Sequence, residues 1–133
     1  MTPHVKSVVE DCTAASDTNS LTFPAVVAAL AAAGVEGYHA DLRRAEKTYY
    51  MPDGDSHRVR CAPAKGMAAD AFSAEGVNAA IRAIQAGRIR YDEFCDAIIA
   101  AGCVGYHVSL AGRRAVYYGR TGDMHVEMFP GAA

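Results

Sequence analysis

GVEGYH at residues 34–39 returns as GCVGYH at residues 102–107, and this echo decides how the chain is built. The offset is 68 (102 − 34). Held without a gap, it also aligns Leu42 with Leu110, Tyr49-Tyr50 with Tyr117-Tyr118, Gly54-Asp55 with Gly122-Asp123, and His57 with His125. Upstream it sets LTFPAVVAALAAAG (21–34) on IRYDEFCDAIIAAG (89–102). A fixed period over such a span is the signature of a duplicated supersecondary unit. Repeat one is assigned to about residues 5–62, a linker to about 63–72, and repeat two to about 73–130, within a single domain 1–133.

The two copies share one grammar. Phe23, Val26, Val27 and Leu30 follow the i, i+3, i+4, i+7 spacing of an amphipathic helix. Thr22 suits its N-cap, Pro24 its first turn and Gly34 its stop. Tyr91, Phe94, Cys95 and Ile98 repeat the stripe, and Gly102 ends it. A further helix precedes each: Val5, Val8, Val9 and Cys12 form one stripe, and Val77, Ala80, Ile81 and Ile84 the other, with Ser73 as cap. Beyond each glycine the period falls to two. Tyr38, Ala40 and Leu42 point one way and His39 and Asp41 the other; Tyr106, Val108 and Leu110 oppose His107 and Ser109. Asp53-Gly54 and Thr121-Gly122 mark turns before a last strand. Each unit therefore reads helix–helix–strand–strand–strand. The predicted class is α+β: an antiparallel sheet with helices on one face and a pseudo-twofold between the repeats. One conflict of parity stands out. Met124, Val126 and Met128 are expected to face inward, whereas Val59 and Cys61 have the opposite parity in the first copy.

Composition bounds the partners. The 133 residues are 51% hydrophobic and 21% charged, with a formal net charge of −2. A nucleic-acid partner would call for a surplus of Lys and Arg, so none is expected. The apolar run Phe23–Gly34 is shorter than the ~20 residues that span a bilayer, so no membrane partner is expected either. The N-terminal MTPHVKSVVEDC carries an acidic pair where a signal peptide has its apolar segment. These features predict a cytoplasmic protein. Cys12, Cys61, Cys95 and Cys103 show neither C-x-x-C nor zinc spacing and are expected to be reduced.

Chemistry rests on a few side chains. Four of the five histidines form repeat-related pairs, His39 with His107 and His57 with His125. Imidazole is suited to proton transfer near neutral pH. Asp55 and Asp123 precede His57 and His125 by two residues, a spacing that lets a carboxylate orient an imidazole on one strand face. The structural alternative is a turn aspartate bonded to its own backbone. Tyr50 and Tyr118 fall on the outward parity and suit hydrogen-bond donation; Tyr49 and Tyr117 fall inward. Arg44, Lys47, Arg113 and Arg120 cluster near hairpin turns, where they could hold an anionic group or remain solvated. The copies differ here: Glu46, Lys47 and Asp53 become Arg114, Ala115 and Thr121 at the same offset. No P-loop, G-x-G-x-x-G, G-x-S-x-G or H-E-x-x-H occurs, and histidine spacing gives no metal set, so neither cofactor nor metal is expected.

GVEGYHADLRRAEKTYYMPDGDSH (34–57) and IQAGRIRYDEFCDAIIAAGCVGYHVSLAGRRAVYYGRTGDMHVEMFPG (84–131) resemble a small bacterial and prophage family labelled "phage envelope protein", which has no established function. The resemblance covers nearly the whole chain and implies a stand-alone domain; it brings no catalytic residues. At the level of fold, duplicated α+β units also resemble small effector-binding domains, an analogy that does not determine function.

The expectation is a small-molecule protein with its ligand between the repeats, leaning towards an acid–base enzyme of isomerase, lyase or cyclase type. His39, His107, His57 and His125 would transfer protons, and Asp55 and Asp123 would orient them. The competing expectation is a non-catalytic ligand sensor or a prophage accessory module that binds another protein; a homodimer is compatible with either. The cysteine reading has a direct check. A thiol reagent applied to the denatured, unreduced protein should modify all four cysteines, and a protected pair would contradict it.

Overall fold

The computed structural model describes residues 1–130. Helices α1 (Pro3–Asp17) and α2 (Phe23–Ala32) precede strands β1 (Gly37–Asp41), β2 (Glu46–Tyr50) and β3 (Ser56–Arg60). The pattern then repeats as α3 (Ala74–Gln85), α4 (Tyr91–Ala100), β4 (Cys103–Ser109), β5 (Arg114–Gly119) and β6 (Met124–Met128). Side-chain oxygens satisfy the first free amides of three helices. Thr2 accepts from the Val5 amide at 3.2 Å, Thr22 from Ala25 at 3.3 Å and Ser73 from Gly76 at 3.0 Å. At α4 the Glu93 carboxylate instead accepts from the Arg90 amide at 2.9 Å.

All six strands join one antiparallel sheet in the order β3-β2-β1-β4-β5-β6. The central pairing sets the symmetry. His39 lies opposite His107, its own equivalent at the 68-residue offset, so the pseudo-twofold passes between them. Tyr38 opposite Val108 and Ala40 opposite Tyr106 are related by the same axis. The helices cover one face, where Val9, Leu30, Val77 and Ile98 lose all contact with water against Tyr38, Tyr49, Tyr106 and Tyr117. Each such aliphatic side chain contributes roughly 1.5–3 kcal/mol. No described helix is long and apolar enough to cross a membrane. All four cysteines are free.

The parity conflict resolves against the expectation. Tyr117 pairs with His125 and Val116 with Val126, so Met124, Val126 and Met128 lie on the face that the helices leave bare. Met124 is 62% and Val126 44% exposed. Both last strands thus have the same parity, and their residue types differ. Ser56, Arg58 and Arg60 occupy in β3 the places of these three apolar side chains.

Gly34 and Gly102 end α2 and α4 with φ of +81° and +89°, the left-handed conformation a helix stop requires. Their surroundings differ. A Cβ at Gly34 would touch only the Met51 methyl at 3.8 Å, whereas one at Gly102 would run into the Ala71 carbonyl. Gly34→Ala should therefore cost about 1–2 kcal/mol, the ordinary left-handed penalty. Gly102→Ala should cost clearly more, because backbone must also move. Urea unfolding of the two variants will rank them, and equal losses would contradict the packing described.

Candidate functional site

Alternation along the central strands divides the candidate residues between two environments. On the bare face His39 sits beside Thr48 and opposite His107, with Asp41, Ser109, Tyr50 and Tyr118 around them. His39 Nε2 and Tyr118 Oη lie 2.7 Å apart, joining the first repeat to the second, and their rings stack at an interplanar angle of 22°. Gly105 makes this possible: a Cβ there would fall 2.5 Å from Tyr118 Oη, so any larger residue would push the phenol aside. Partial burial holds the His39 imidazole below its ordinary pKa, opposed by the Asp41 charge and reinforced by His107. Burial likewise raises the Tyr118 phenol, with the Arg43 cation acting against it. Both groups are thus neutral near pH 7. Asp41 is held in place by its Oδ1, which accepts from the Arg43 and Arg44 amides at 3.0 Å each.

The repeat-related partner of this pair is not formed. Tyr50, the equivalent of Tyr118, is 37% exposed and makes no hydrogen bond to His107 among the described residues. The pseudo-twofold is therefore broken at its centre, with one coupled imidazole–phenol pair and one free imidazole. The linked tyrosine is foreseen in sequence only as an outward hydrogen-bond donor; its partner emerges from the sheet register.

His57 and His125 go elsewhere. They point to the helix-covered side, where His57 Nε2 meets Glu10 of α1 at 2.9 Å and His125 Nε2 lies 3.4 Å from Glu127. Asp55 and Asp123 do not orient them. Asp55 accepts from the Ser56 amide at 2.9 Å and pairs with the N-terminal amine; Asp123 accepts from the Thr121 hydroxyl at 2.8 Å. The turn-aspartate alternative describes Asp55, whereas Asp123 bonds a neighbouring side chain. Among the arginines, Arg44 pairs with Glu46 at 3.0 Å. Arg120 ties down the linker through the Ala68 carbonyl at 2.9 Å, and Arg113 occupies a left-handed turn position. Among the described residues none of these three hydrogen-bonds to the His39–Tyr118 pair.

Lys47 is also displaced from its expected place. It shares parity with Tyr49, lies on the helix-covered side and is 3% exposed. Its Nζ is 4.7 Å from the centre of the Tyr91 ring and 5.7 Å from that of Tyr38. Desolvation lowers its pKa, partly opposed by Cys61, Cys95, Asp17 and Cys12. Tyr91, which sequence reasoning assigned only to a helix stripe, closes over the amine, while its hydroxyl bonds Tyr106 Oη at 2.6 Å.

Among the described residues no three His, Cys, Asp or Glu side chains gather as a metal site. Comparison with curated proteins yields no match. A family model does match, over residues 15–128 and so across both repeats: the chain belongs to the family described as "Protein of unknown function (DUF1398)".

Proposed function

We propose that this protein binds a small molecule on the bare sheet face over the pseudo-twofold and performs cofactor-independent acid–base chemistry there, of isomerase, lyase or cyclase type. The observation that carries this reading is the 2.7 Å contact between His39 and Tyr118 across the repeats, beside an unpaired His107. A neutral imidazole can act as a base, and a phenol held by imidazole can donate to an oxygen that gains charge. In this scheme His107 takes a proton from a carbon next to a carbonyl. Tyr118 donates to the carbonyl oxygen, and His39 sustains it by donating its Nε2–H to the phenol oxygen. The Arg43–Arg44 turn would attract an anionic substituent.

A second reading, a prophage accessory module that binds another protein, is favoured by the exposed Met124 and Val126 beside Val116 on the same face. Met124→Ser with Val126→Thr separates the two. It should abolish association with a protein partner and leave small-molecule binding intact.

The enzyme reading is tested by deuterium exchange at carbons next to the carbonyl in a panel of small oxo acids. Tyr118→Phe, His39→Gln and His107→Gln should each slow exchange by ~10²-fold, the usual scale for a lost acid–base group. His57→Gln and His125→Gln should not, since both lie on the other side of the sheet. Parallel loss in all five variants, tracking melting temperature, would leave the histidines a structural role only.

A further inference from the structure

The offset of 68 residues provides an internal control for the buried amine. At the positions equivalent to Lys47, Cys61, Tyr91 and Cys95 the other half of the molecule has Ala115, Phe129, Phe23 and Val27. There the Phe23 and Phe129 rings meet edge to face, with centroids 5.4 Å apart, and form an apolar plug. The fold is thus satisfied by hydrocarbon at this location. In the first half the same location holds an amine, two thiols and a phenol, and it is left open as a narrow cleft between α4 and the β1–β2 hairpin. Asp41, Leu42 and the small side chains of Ala40, Ala45, Ala62 and Ala64 line the rest of it.

Asp17 attracts the cation through its charge and Asp41 lines the same cleft, yet neither forms an ion pair with it. No ion pair among the described residues includes Lys47, and a buried ammonium with no carboxylate partner is costly. Two tyrosine rings offset a part of that cost. A neutral amine avoids it, and desolvation shifts Lys47 in that direction. The surrounding thiols are pushed the other way: burial raises Cys61, and raises Cys95 to about 11, so both stay protonated and are poor nucleophiles. The amine is the strongest nucleophile the cleft offers.

We propose that Lys47 is a Schiff-base-forming lysine that captures a small aldehyde or ketone in the cleft between the repeats. The unprotonated Nζ attacks the carbonyl carbon and a C–N bond forms. The carbonyl oxygen then departs as water, carrying both protons that the amine brought, and leaves a C=N bond. Amine and carbonyl become imine and water, so the step needs no oxidant or reductant. The narrowness of the cleft restricts the carbonyl compound to small substituents. This site lies on the opposite side of the sheet from His39 and stands independently of the reading given for that face.

The chain contains three lysines, and Lys6 and Lys65, both exposed, serve as internal references. Native protein treated with propanal and cyanoborohydride at pH 7 is digested and the modified peptides are quantified; the N-terminal amine is distinguished from Lys6 by fragmentation. Lys47 should be propylated at least about tenfold faster than Lys6 or Lys65, equivalent to about 1.4 kcal/mol of barrier. Its rate should also level off at lower pH than theirs. Lys47→Met should remove the fast phase while its circular dichroism and melting temperature show a folded chain. Should Lys47 react no faster than the references in the native protein, and match them only in urea, it is a structural cation and the proposal falls.

Discussion

Five residue pairs between β1 and β4, from Gly37 opposite Ser109 to Asp41 opposite Gly105, turn two three-stranded units into one sheet. Everything else follows from that seam. It puts four buried tyrosines, Tyr38, Tyr49, Tyr106 and Tyr117, on a common floor for the helices. It also lets the first residue of α2 or α4 reach across to the opposite repeat. Phe23 packs on Phe129, and Tyr91 closes over Lys47. Each second helix thus begins on a contact with the other repeat.

The seam also sorts the chemistry. One register places His39 and His107 side by side on the bare face and sends His57 and His125 to the helices, where Glu10 and Glu127 receive them. Symmetry then gives way at two places. On the bare face one imidazole is coupled to a phenol and its counterpart is free; beneath the helices one half is plugged with phenylalanine and the other holds an amine. A duplicated scaffold can retain its packing in one copy while the equivalent position of the other departs from it. Here the departures are the coupled His39–Tyr118 pair and the buried Lys47.

Much of this was legible in the residues. The offset, the paired helix-stopping glycines, the Thr22 and Ser73 caps and the switch from period 3.6 to period 2 foretell the α+β order and the helix-covered face. They rest on local geometry that any short window displays. What depends on partners distant in the chain was not legible. Glu10 is on a different element from His57, so no spacing rule links them, and the nearby Asp55 was the natural but mistaken partner. In β6 the apolar types of Met124, Val126 and Met128 suggested burial, yet the pairing of Tyr117 with His125 sets the opposite parity. Lys47 shows the reverse error. It was read as a turn residue that holds an anion or stays solvated, and only the packing of Tyr91 reveals its burial.

The seam carries a kinetic meaning as well. Each three-stranded unit is built from neighbouring hairpins, whose loops close quickly because few residues separate the pairing strands. β1 and β4 meet only after two helices and a linker have been brought round, and that ordering entropy must be spent before their contacts return anything. Joining the halves is therefore the slow step. Until it occurs, the edges of β1 and β4 are both unpaired strands of nearly the same sequence, GYHA and GYHV. In a crowded solution the β1 edge can find the β4 edge of another molecule as readily as its own. Exchange of whole repeats between chains is the misfolding route this architecture invites.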